Sequence, residues 1–291
     1  MTAGRSARAQ REGSTMSADD TRRWLITGAN SGFGAAFTKA VLAAGDEVVA
    51  AVRRPESMAD VVAAHPDRVQ VVTLDVRDAA AAERAVKAAG RIDVLVNNAG
   101  YGIVGAIEET AEADLRDAME VMFFGPLRLT QLVLPQMRER RAGAIVQLTS
   151  MGGFMSFAGV GVYSAAKGAL ELASEALAAE VNPLGIQVLI VEPGEFRTGF
   201  AKPAALTFGS AIPDYAATVG AIRDGLPASD QQQTGDPDKA AAAVLAVVGQ
   251  PNPPLRLALG ADAVGAIRGK LATVATELDA TAHLGLTTAF D

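Results

Sequence analysis

The chain of 291 residues contains no cysteine and only two histidines, His65 and His283. Disulfide bonds, thiolate metal ligands and cysteine nucleophiles are therefore excluded. The two histidines are far apart in the sequence, so we expect no histidine-rich metal site. We interpret both as surface or helix-end residues and predict no metal for this protein.

Long apolar runs and an excess of positive charge are also missing. No stretch reaches 18 uninterrupted apolar residues, so no transmembrane helix is predicted. The net charge of −7 argues against nucleic acid or an anionic membrane as a partner. Residues 1–20 lack the apolar region of a secretory signal peptide. We expect them to form a disordered tail, with a targeting peptide as the alternative, and we expect a cytoplasmic protein.

Short apolar runs alternate with helical stretches along the rest of the chain, which is 49% hydrophobic overall. This alternation predicts an α/β fold with a doubly wound, mostly parallel sheet of about seven strands and helices on both faces. The predicted strands are residues 24–27, 47–52, 69–74, 92–96, 144–148, 186–191 and 255–259. The predicted helices are residues 35–44, 79–89, 163–181 and 111–140, the last one interrupted near Gly125-Pro126.

Residues 198–236 are the least regular part of the sequence and are rich in Gly, Pro, Ser and Thr. Phe200, Phe208 and Tyr215 are spaced through them. A long irregular insertion between a strand and the next helix predicts a mobile substrate lid, and a plain surface loop is the alternative. We expect residues 260–291 to form a C-terminal extension of a single domain that covers 21–291.

The first predicted strand ends in a glycine-rich turn, Gly28-x-x-x-Gly32-x-Gly34. Glycines let a backbone approach a pyrophosphate, and the N-terminus of the following helix offers N–H groups and a positive dipole. The spacing differs from the best-known dinucleotide fingerprint, GxGxxG. Its position after the first strand favours dinucleotide binding over simple turn chemistry.

The end of the second predicted strand bears on the choice of dinucleotide. An acidic residue there holds the ribose 2′-hydroxyl of NAD, whereas arginine suits the 2′-phosphate of NADP. Val52 is followed directly by Arg53 and Arg54, and no carboxylate appears at the turn. We predict NADP(H) as the preferred cofactor, with both arginines at the phosphate and NAD(H) as the alternative. Two solvated arginines are the competing interpretation.

Tyr163 and Lys167 stand four residues apart in a predicted helix, and Ser150 follows a predicted strand. Helical residues at this spacing share a face, so Lys167 can hold a positive charge near the phenol and lower its pKa. A tyrosine tuned toward neutrality can transfer a proton at physiological pH. The Ser150 hydroxyl can hydrogen-bond the same reacting oxygen. We predict these three residues to be catalytic, although YxxxK alone is weak evidence.

Conspicuous residues follow five predicted strands, namely Gly28, Asp75, Asn97, Ser150 and Pro193. In parallel α/β sheets, ligands bind beyond the carboxyl ends of the strands. The sequence therefore predicts a single site at this edge of the sheet.

These motifs resemble those of the short-chain dehydrogenase/reductase family over roughly residues 22–260. The residues from 253 onward are similar to a hydroxysteroid-dehydrogenase-like bacterial branch of it. The resemblance implies a single-domain Rossmann fold. The matching motifs are Thr27-Gly28-Ala29-Asn30-Ser31-Gly32-Phe33-Gly34, Asp75-Val76, Asn97-Asn98-Ala99-Gly100, Ser150, Tyr163-x-x-x-Lys167 and Pro193-Gly194-x-x-x-Thr198.

The resemblance also implies a role for each motif. Tyr163 would be the general acid in reduction, Lys167 would bind the nicotinamide ribose, and Ser150 would position the carbonyl oxygen. Asp75 would contact the adenine, and residues 97–100 would brace the sheet. The complete predicted cofactor-binding set is Gly28, Asn30, Ser31, Gly32, Phe33, Gly34, Arg53, Arg54, Asp75, Val76, Asn97, Ala99, Gly100, Tyr163, Lys167, Pro193, Gly194, Phe196 and Thr198.

One position departs from the family pattern. The family usually has an asparagine three residues before the glycine of an FG pair in the long helix, where it helps to hold a water that links the lysine to solvent. Here Met122 occupies that place. Methionine has no amide to offer. We therefore hypothesise a slowed or rerouted proton relay with catalysis retained.

The predicted function is hydride transfer between NADP(H) and the carbonyl or secondary alcohol of a lipophilic small molecule. The alternatives are a catalytically weak dinucleotide-binding sensor or scaffold, and an epimerase or dehydratase. The resemblance implies a homodimer or homotetramer that uses helices 111–140 and 163–181. The predicted substrate-pocket residues are Met151, Phe154, Met155, Glu195 and Phe200.

The apolar residues of that pocket predict an adaptable wall, with core filler as the alternative. Glu195 either selects a polar group on the substrate or faces water.

Overall fold

The computed structural model describes residues 21–290, so the tail predicted over residues 1–20 lies outside the described residues. The strands are β1 (Arg23–Thr27), β2 (Glu47–Val52), β3 (Val69–Thr73), β4 (Val94–Asn97), β5 (Gly102–Val104), β6 (Gly143–Leu148), β7 (Ile186–Pro193), β8 (Leu206–Phe208) and β9 (Arg256–Leu259). A seven-stranded parallel sheet has the order β3-β2-β1-β4-β6-β7-β9, and β5 and β8 form a separate parallel pair. The α/β fold with its doubly wound sheet is thereby confirmed.

The helices follow the predicted pattern where their periodicity is strong. The predicted helix 111–140 is one continuous rod, in which the π-helical turn Glu120–Phe124 joins two α-helices. This wider turn accommodates Pro126, which has no N–H to donate. The helices are α1 (Gly32–Ala43), α2 (Ala59–Ala64), α3 (Ala79–Ala89), α4 (Glu112–Met119), α5 (Gly125–Arg140), α6 (Met151–Phe154), α7 (Gly161–Val181), α8 (Ala216–Ala228), α9 (Pro237–Val247) and α10 (Ala261–Gly285).

Each face of the sheet carries its own apolar core. Successive strand residues point to opposite faces, so Trp24 and Ile26 of β1 pack in one core while Leu25 packs in the other. Helices α1 and α9 cover the first core, and α3, α5 and α7 cover the second. Continuous apolar strands are what a sheet covered on both faces requires.

The prediction that residues 198–236 are irregular is wrong. They contain β8, which pairs with β5, and the 13-residue helix α8. Glycine and proline inside α8 lower its local helix propensity, but tertiary contacts outweigh this penalty. Buried Glu109 lies 2.6 Å from Arg223 of α8 and accepts the N–H of Ile212 at 2.7 Å. The segment is therefore fastened to the body at these points.

The C-terminal extension is one helix, α10, of 25 residues. Its first turn packs against the loop that follows β7, where Asp262 accepts the backbone N–H of Glu195 at 2.7 Å. Beyond Gly269 nearly every residue of α10 is exposed.

Two buried carboxyl groups share one arginine between β7, β9 and α7. The Arg256 Nε lies 3.1 Å from an oxygen of Glu171 and 3.1 Å from an oxygen of Glu192. A second arginine nitrogen reaches the more exposed Glu175 at 2.9 Å. One guanidinium cannot neutralise two buried carboxylates. Burial, together with the neighbouring Glu171, raises the pKa of Glu192 to about 8, so the pair holds a proton at neutral pH.

Gly34 allows α1 to start directly against the glycine turn. A β-carbon at this position would collide with the carbonyl oxygen of Gly28. We expect Gly34→Ala to lower the free energy of unfolding by about 2 kcal/mol or more, because the backbone has to shift. Gly220→Ala in α8, where a β-carbon meets open space, should instead stabilise by about 0.5–1 kcal/mol. Urea unfolding measures the free energy of unfolding of both variants. Equal changes in the two variants would contradict the claim that only Gly34 lacks room for a β-carbon.

The raised pKa of Glu192 makes stability depend on pH. Folding is favoured most below the unfolded pKa of 4.5, and this contribution is lost as pH rises through the folded pKa of about 8. The slope from this one group is at most about 1.4 kcal/mol per pH unit. Glu192→Gln removes the titrating group. We therefore expect the free energy of unfolding of this variant to decline less with rising pH than that of the parent. Urea unfolding between pH 5 and 9, about the window of the two pKa values, measures it.

Glu175→Gln is the matched control for Glu192→Gln, because Glu175 contacts the same arginine from a more exposed position. It should keep the pH dependence of the parent. A parent-like slope in Glu192→Gln would show that the acid pair does not hold the proton.

Candidate active site

A cleft of about 960 Å³ opens at the carboxyl ends of the strands of the main sheet. Residues from the glycine turn, from the ends of five strands and from the 198–236 segment line it. The predicted site residues that the cleft brings together are Gly28, Asn30, Ser31, Gly32, Phe33, Arg53, Asp75, Val76, Ala99, Gly100, Ser150, Met151, Tyr163, Lys167, Pro193, Gly194, Glu195, Phe196, Thr198 and Phe200.

Two predicted cofactor residues, Gly34 and Asn97, lie behind the cleft instead of lining it. Asn97 is buried, and its amide donates to the Pro126 carbonyl at 3.2 Å and to the Gln147 side chain at 2.9 Å. It thereby ties β4 to α5 and β6, which matches the bracing role that the resemblance implies. A third, Arg54, is exposed beside the cleft at the start of a 3₁₀ turn.

Two predicted substrate-pocket residues, Phe154 and Met155, lie outside the residues that line the cleft, and their contact with a substrate stays a prediction. Phe154 ends α6, and its ring centroid is 6.0 Å from the guanidinium carbon of Arg256. Met155 follows in extended backbone and, like Phe154, lies outside the residues that line the cleft. Phe154 thus lies beside the arginine that the two buried carboxyl groups share.

Helix α7 places Tyr163 and Lys167 on one face, with the Lys167 Nζ 5.9 Å from the centroid of the phenol ring. The ammonium is buried and donates to the Leu148 carbonyl at the end of β6, at 2.7 Å. Ser150 caps α6, and its Oγ accepts the Gly152 N–H at 3.0 Å. All three predicted catalytic side chains therefore meet where β6 ends.

Burial dominates the pKa values of this group. Desolvation of the hydroxyl raises the pKa of Tyr163 to about 12, and a hydrogen bond with Ser150 acts in the opposite direction. Desolvation lowers the pKa of Lys167 to about 8. The prediction that Lys167 pulls the phenol pKa toward neutrality is therefore wrong. The ammonium is directed at the Leu148 carbonyl, and the phenol remains protonated at neutral pH.

Met122 lies in the π-helical turn beside the lysine and is fully buried. A β-carbon added to Gly100 would lie 3.5 Å from both the Lys167 Nζ and the Met122 Sδ. The absence of a side chain at Gly100 lets the thioether and the ammonium approach the same point. The altered proton relay stays a prediction.

The glycine turn has the backbone that a pyrophosphate cradle requires. Gly28 and Gly32 have φ values of +65° and +50°, a region that disfavours other residues. Ser31 is the N-cap of α1, so the positive end of this helix faces the cleft. Thr198 closes over the turn, 3.2 Å from where a Gly32 β-carbon would lie. These residues fit a dinucleotide phosphate.

The two ends of the cleft lie on opposite sides of β1. Arg53 and Asp75 follow β2 and β3, whereas Ser150 follows β6 on the other side. Neighbouring strands are about 4.8 Å apart, so the cleft spans several strand widths. That arrangement suits an extended ligand with its nucleoside at β2 and its reactive ring near Tyr163.

The sequence reasoning missed a polar cluster at the nucleoside end. Arg77 lies 2.6 Å from Asp75 and 2.9 Å from Asp117, and the Tyr101 hydroxyl donates to Asp117 at 2.6 Å. Hydrogen bonds from Arg77 hold the pKa of Asp75 below its usual value. Only the Asp75-x-Arg77 spacing was visible in the sequence; the other partners are 24 or more residues away.

The 198–236 segment supplies an apolar wall over Tyr163. The Phe200 ring meets the phenol edge-on, with centroids 5.6 Å apart. Ile222 and Leu226 of α8 also line the cleft. These two residues were missed because the segment was predicted to be irregular.

Within residues 21–290, no cluster of three or more potential metal-binding side chains is found. In the same part of the chain, none of the helices combines the length and the apolar character needed to cross a membrane.

The chain is similar in sequence to a known protein family and to individual oxidoreductases. A family model described as short chain dehydrogenase matches residues 22–207. The chain is 38% identical over 264 residues to oxidoreductase BOA17 of Botryotinia fuckeliana, which covers 89% of this chain and 96% of that protein. It is 36% identical over 242 residues to a 3-ketodihydrosphingosine reductase of Bacteroides thetaiotaomicron, with 81% and 87% covered.

Solved structures agree with these relatives. A short-chain dehydrogenase from Streptomyces avermitilis is 48% identical, with a TM-score of 0.89 and coverage of 94% of this chain and 100% of that one. A short chain dehydrogenase from Burkholderia cenocepacia, in complex with NADP, is 25% identical, with a TM-score of 0.69 and coverage of 92% and 98%. By its sequence, its fold and the family model that spans most of its main sheet, the protein belongs to the short-chain dehydrogenase/reductase family.

Proposed function

We propose that the protein is an NADP(H)-dependent oxidoreductase that reduces the carbonyl group of a lipophilic small molecule. The observation that carries the proposal is the convergence of Ser150, Tyr163 and Lys167 in the cleft that the glycine turn also lines. The cofactor supplies the hydride when it is bound. The protein has to bind the substrate, orient it and deliver a proton.

Tyr163 is the proposed proton donor. A phenol with a pKa near 12 is protonated at neutral pH, so it is ready to protonate an oxygen that gains negative charge. The Ser150 hydroxyl would donate to the same oxygen and orient it. Lys167, whose pKa of about 8 leaves it mostly charged at neutral pH, would stabilise the phenolate left behind.

Arg53 is the proposed determinant of cofactor choice. It follows β2, lines the cleft and is exposed, as a group that meets a ribose 2′-phosphate should be. The carboxylate that lines the cleft at the end of the neighbouring strand, Asp75 after β3, is already paired with Arg77.

The apolar wall formed by Phe200, Ile222 and Leu226 supports a lipophilic substrate. The name of the Bacteroides thetaiotaomicron relative, a 3-ketodihydrosphingosine reductase, agrees with a ketone on an aliphatic chain. Glu195 is exposed at the edge of the cleft, where it would meet a polar end of such a molecule.

Tyr163→Phe tests the proton donor. We expect the turnover of NADPH with a panel of aliphatic and cyclic ketones to fall at least about a hundredfold, because the reacting oxygen loses its acid. NADPH binding, measured by fluorescence titration, should change little. The matched control is Tyr215→Phe, which removes a phenol that donates to Glu108 outside the cleft and should keep the turnover of the parent. Parent-like turnover in Tyr163→Phe would refute the assignment, and NADPH binding without turnover of any ketone would favour a sensor.

Arg53→Ala tests the cofactor preference. Loss of a charge-assisted contact to the 2′-phosphate should raise the KM for NADPH about tenfold or more, with the KM for NADH nearly unchanged. Arg54→Ala, on the neighbouring residue outside the cleft, is the control and should have a smaller effect on both. Equal changes for the two cofactors in Arg53→Ala would contradict a phosphate contact.

A further inference from the structure

Helix α10 leaves the domain after its first turns. At 25 residues it is about 37 Å long. Ala263 is buried near its start, but the large apolar side chains farther along face water. Leu271 is 53% exposed, Val274 43% and Leu278 64%.

The apolar residues of α10 follow a heptad pattern. Val264, Ile267, Leu271, Val274 and Leu278 are separated alternately by three and four residues. This spacing makes a narrow seam along one side of a helix, as in a coiled coil. An isolated helix gains little stability in water without packing of such a face. The seam therefore calls for a partner over the part that projects from the domain.

The charges beside the seam differ between the two halves of α10, and this favours a second copy of the helix as the partner. Arg268 and Lys270 lie in the first half of the helix, and Glu277 and Asp279 lie in the second half. A second copy of the same helix, running antiparallel, brings each basic half opposite an acidic half. A two-fold symmetric interface requires a surface that is complementary to itself after the two-fold rotation, and this charge distribution meets that requirement.

The register of such a pair follows from the sequence. If Leu271 faces Val274 of the second copy, then Ile267 faces Leu278 in the next layer. The same register places Lys270 of one helix beside Glu277 of the second copy, at the edge of the seam. The two-fold axis repeats each contact, which gives four apolar layers and two ion pairs. In a parallel pair, Lys270 and Glu277 would each face an alanine, so the antiparallel arrangement is favoured.

A membrane surface is the weaker match for this face. Helices that lie on anionic membranes carry mainly Lys and Arg on their polar side. Helix α10 has two basic and three acidic residues. Its charges are separated along the helix axis, which suits a partner with the reverse order and not a uniformly negative surface.

We propose that α10 binds α10 of a second copy of this chain as an antiparallel two-helix coiled coil. The interface is separate from helices 111–140 and 163–181, which the family resemblance implies as contact faces. If those faces also associate, pairing through α10 doubles the size of the assembly. The proposal is independent of the proposed reaction.

Charge reversal on the intact protein tests the proposal. We expect Lys270→Glu and Glu277→Lys each to raise the dissociation constant of the α10 contact about tenfold, because attraction becomes repulsion on both sides of the axis. The double variant should recover parental association, and so should an equal mixture of the two single variants. Sedimentation velocity over a range of concentrations measures these constants. Thr276→Lys, on the opposite face of α10, is the control and should have no effect.

Leu271→Asp provides a second test that does not depend on surface charge. It places a carboxylate in the centre of the seam and should abolish the contact, while circular dichroism and NADPH binding per chain stay unchanged. The proposal is wrong if the single charge reversals leave association unchanged, or if the double variant associates less than either single variant. It is also wrong if the parent protein cosediments with phosphatidylserine vesicles and Leu271→Asp abolishes this binding, while the mass of the protein assembly in solution is the same for the parent and for Leu271→Asp.

Discussion

The position of α7 across the end of β6 is the constraint on which the site depends. A buried ammonium group is tolerated only when its donors are satisfied, and the Leu148 carbonyl at the strand end accepts from Lys167 at 2.7 Å. That hydrogen bond holds the first half of α7 at the strand end, while Leu177, Ala178 and Val181 pack its second half in the core. Tyr163, one turn earlier, is thereby held beside Ser150, and the phenol faces the cleft that the glycine turn lines.

The same face of α7 extends the electrostatics of the site inward. Glu171 lies one turn beyond Lys167 and shares Arg256 with Glu192, which directly precedes the Pro193-Gly194 loop. Burial therefore acts on three neighbouring groups. It keeps the phenol protonated, lowers the pKa of the Lys167 ammonium to about 8 and retains a proton in the carboxyl pair. Desolvation therefore affects the protonation states of these groups more than attraction between charged pairs does.

The parts that the sequence predicted correctly depend on local patterns. Apolar runs located all seven strands of the main sheet to within two residues, and the residues after them reached one cleft because parallel strands end at a common edge. The errors concern interactions between distant residues. Helix α8 contains Gly220 and Pro227 but is held by a contact between Arg223 and Glu109. The acid pair depends on Arg256, 85 residues from Glu171, and the phenol pKa depends on burial that spacing does not reveal.

Transfer of deuterium from NADPH labelled at the nicotinamide C4 tests the central claim most directly. If the cleft joins cofactor and ketone beside Tyr163, mass spectrometry of the alcohol product will find one deuterium on the carbinol carbon when one face of C4 carries the label. The label on the other face will stay in the cofactor. An alcohol product without deuterium from either labelled cofactor, or a protein that binds NADPH and releases it unchanged with every ketone, would contradict the account.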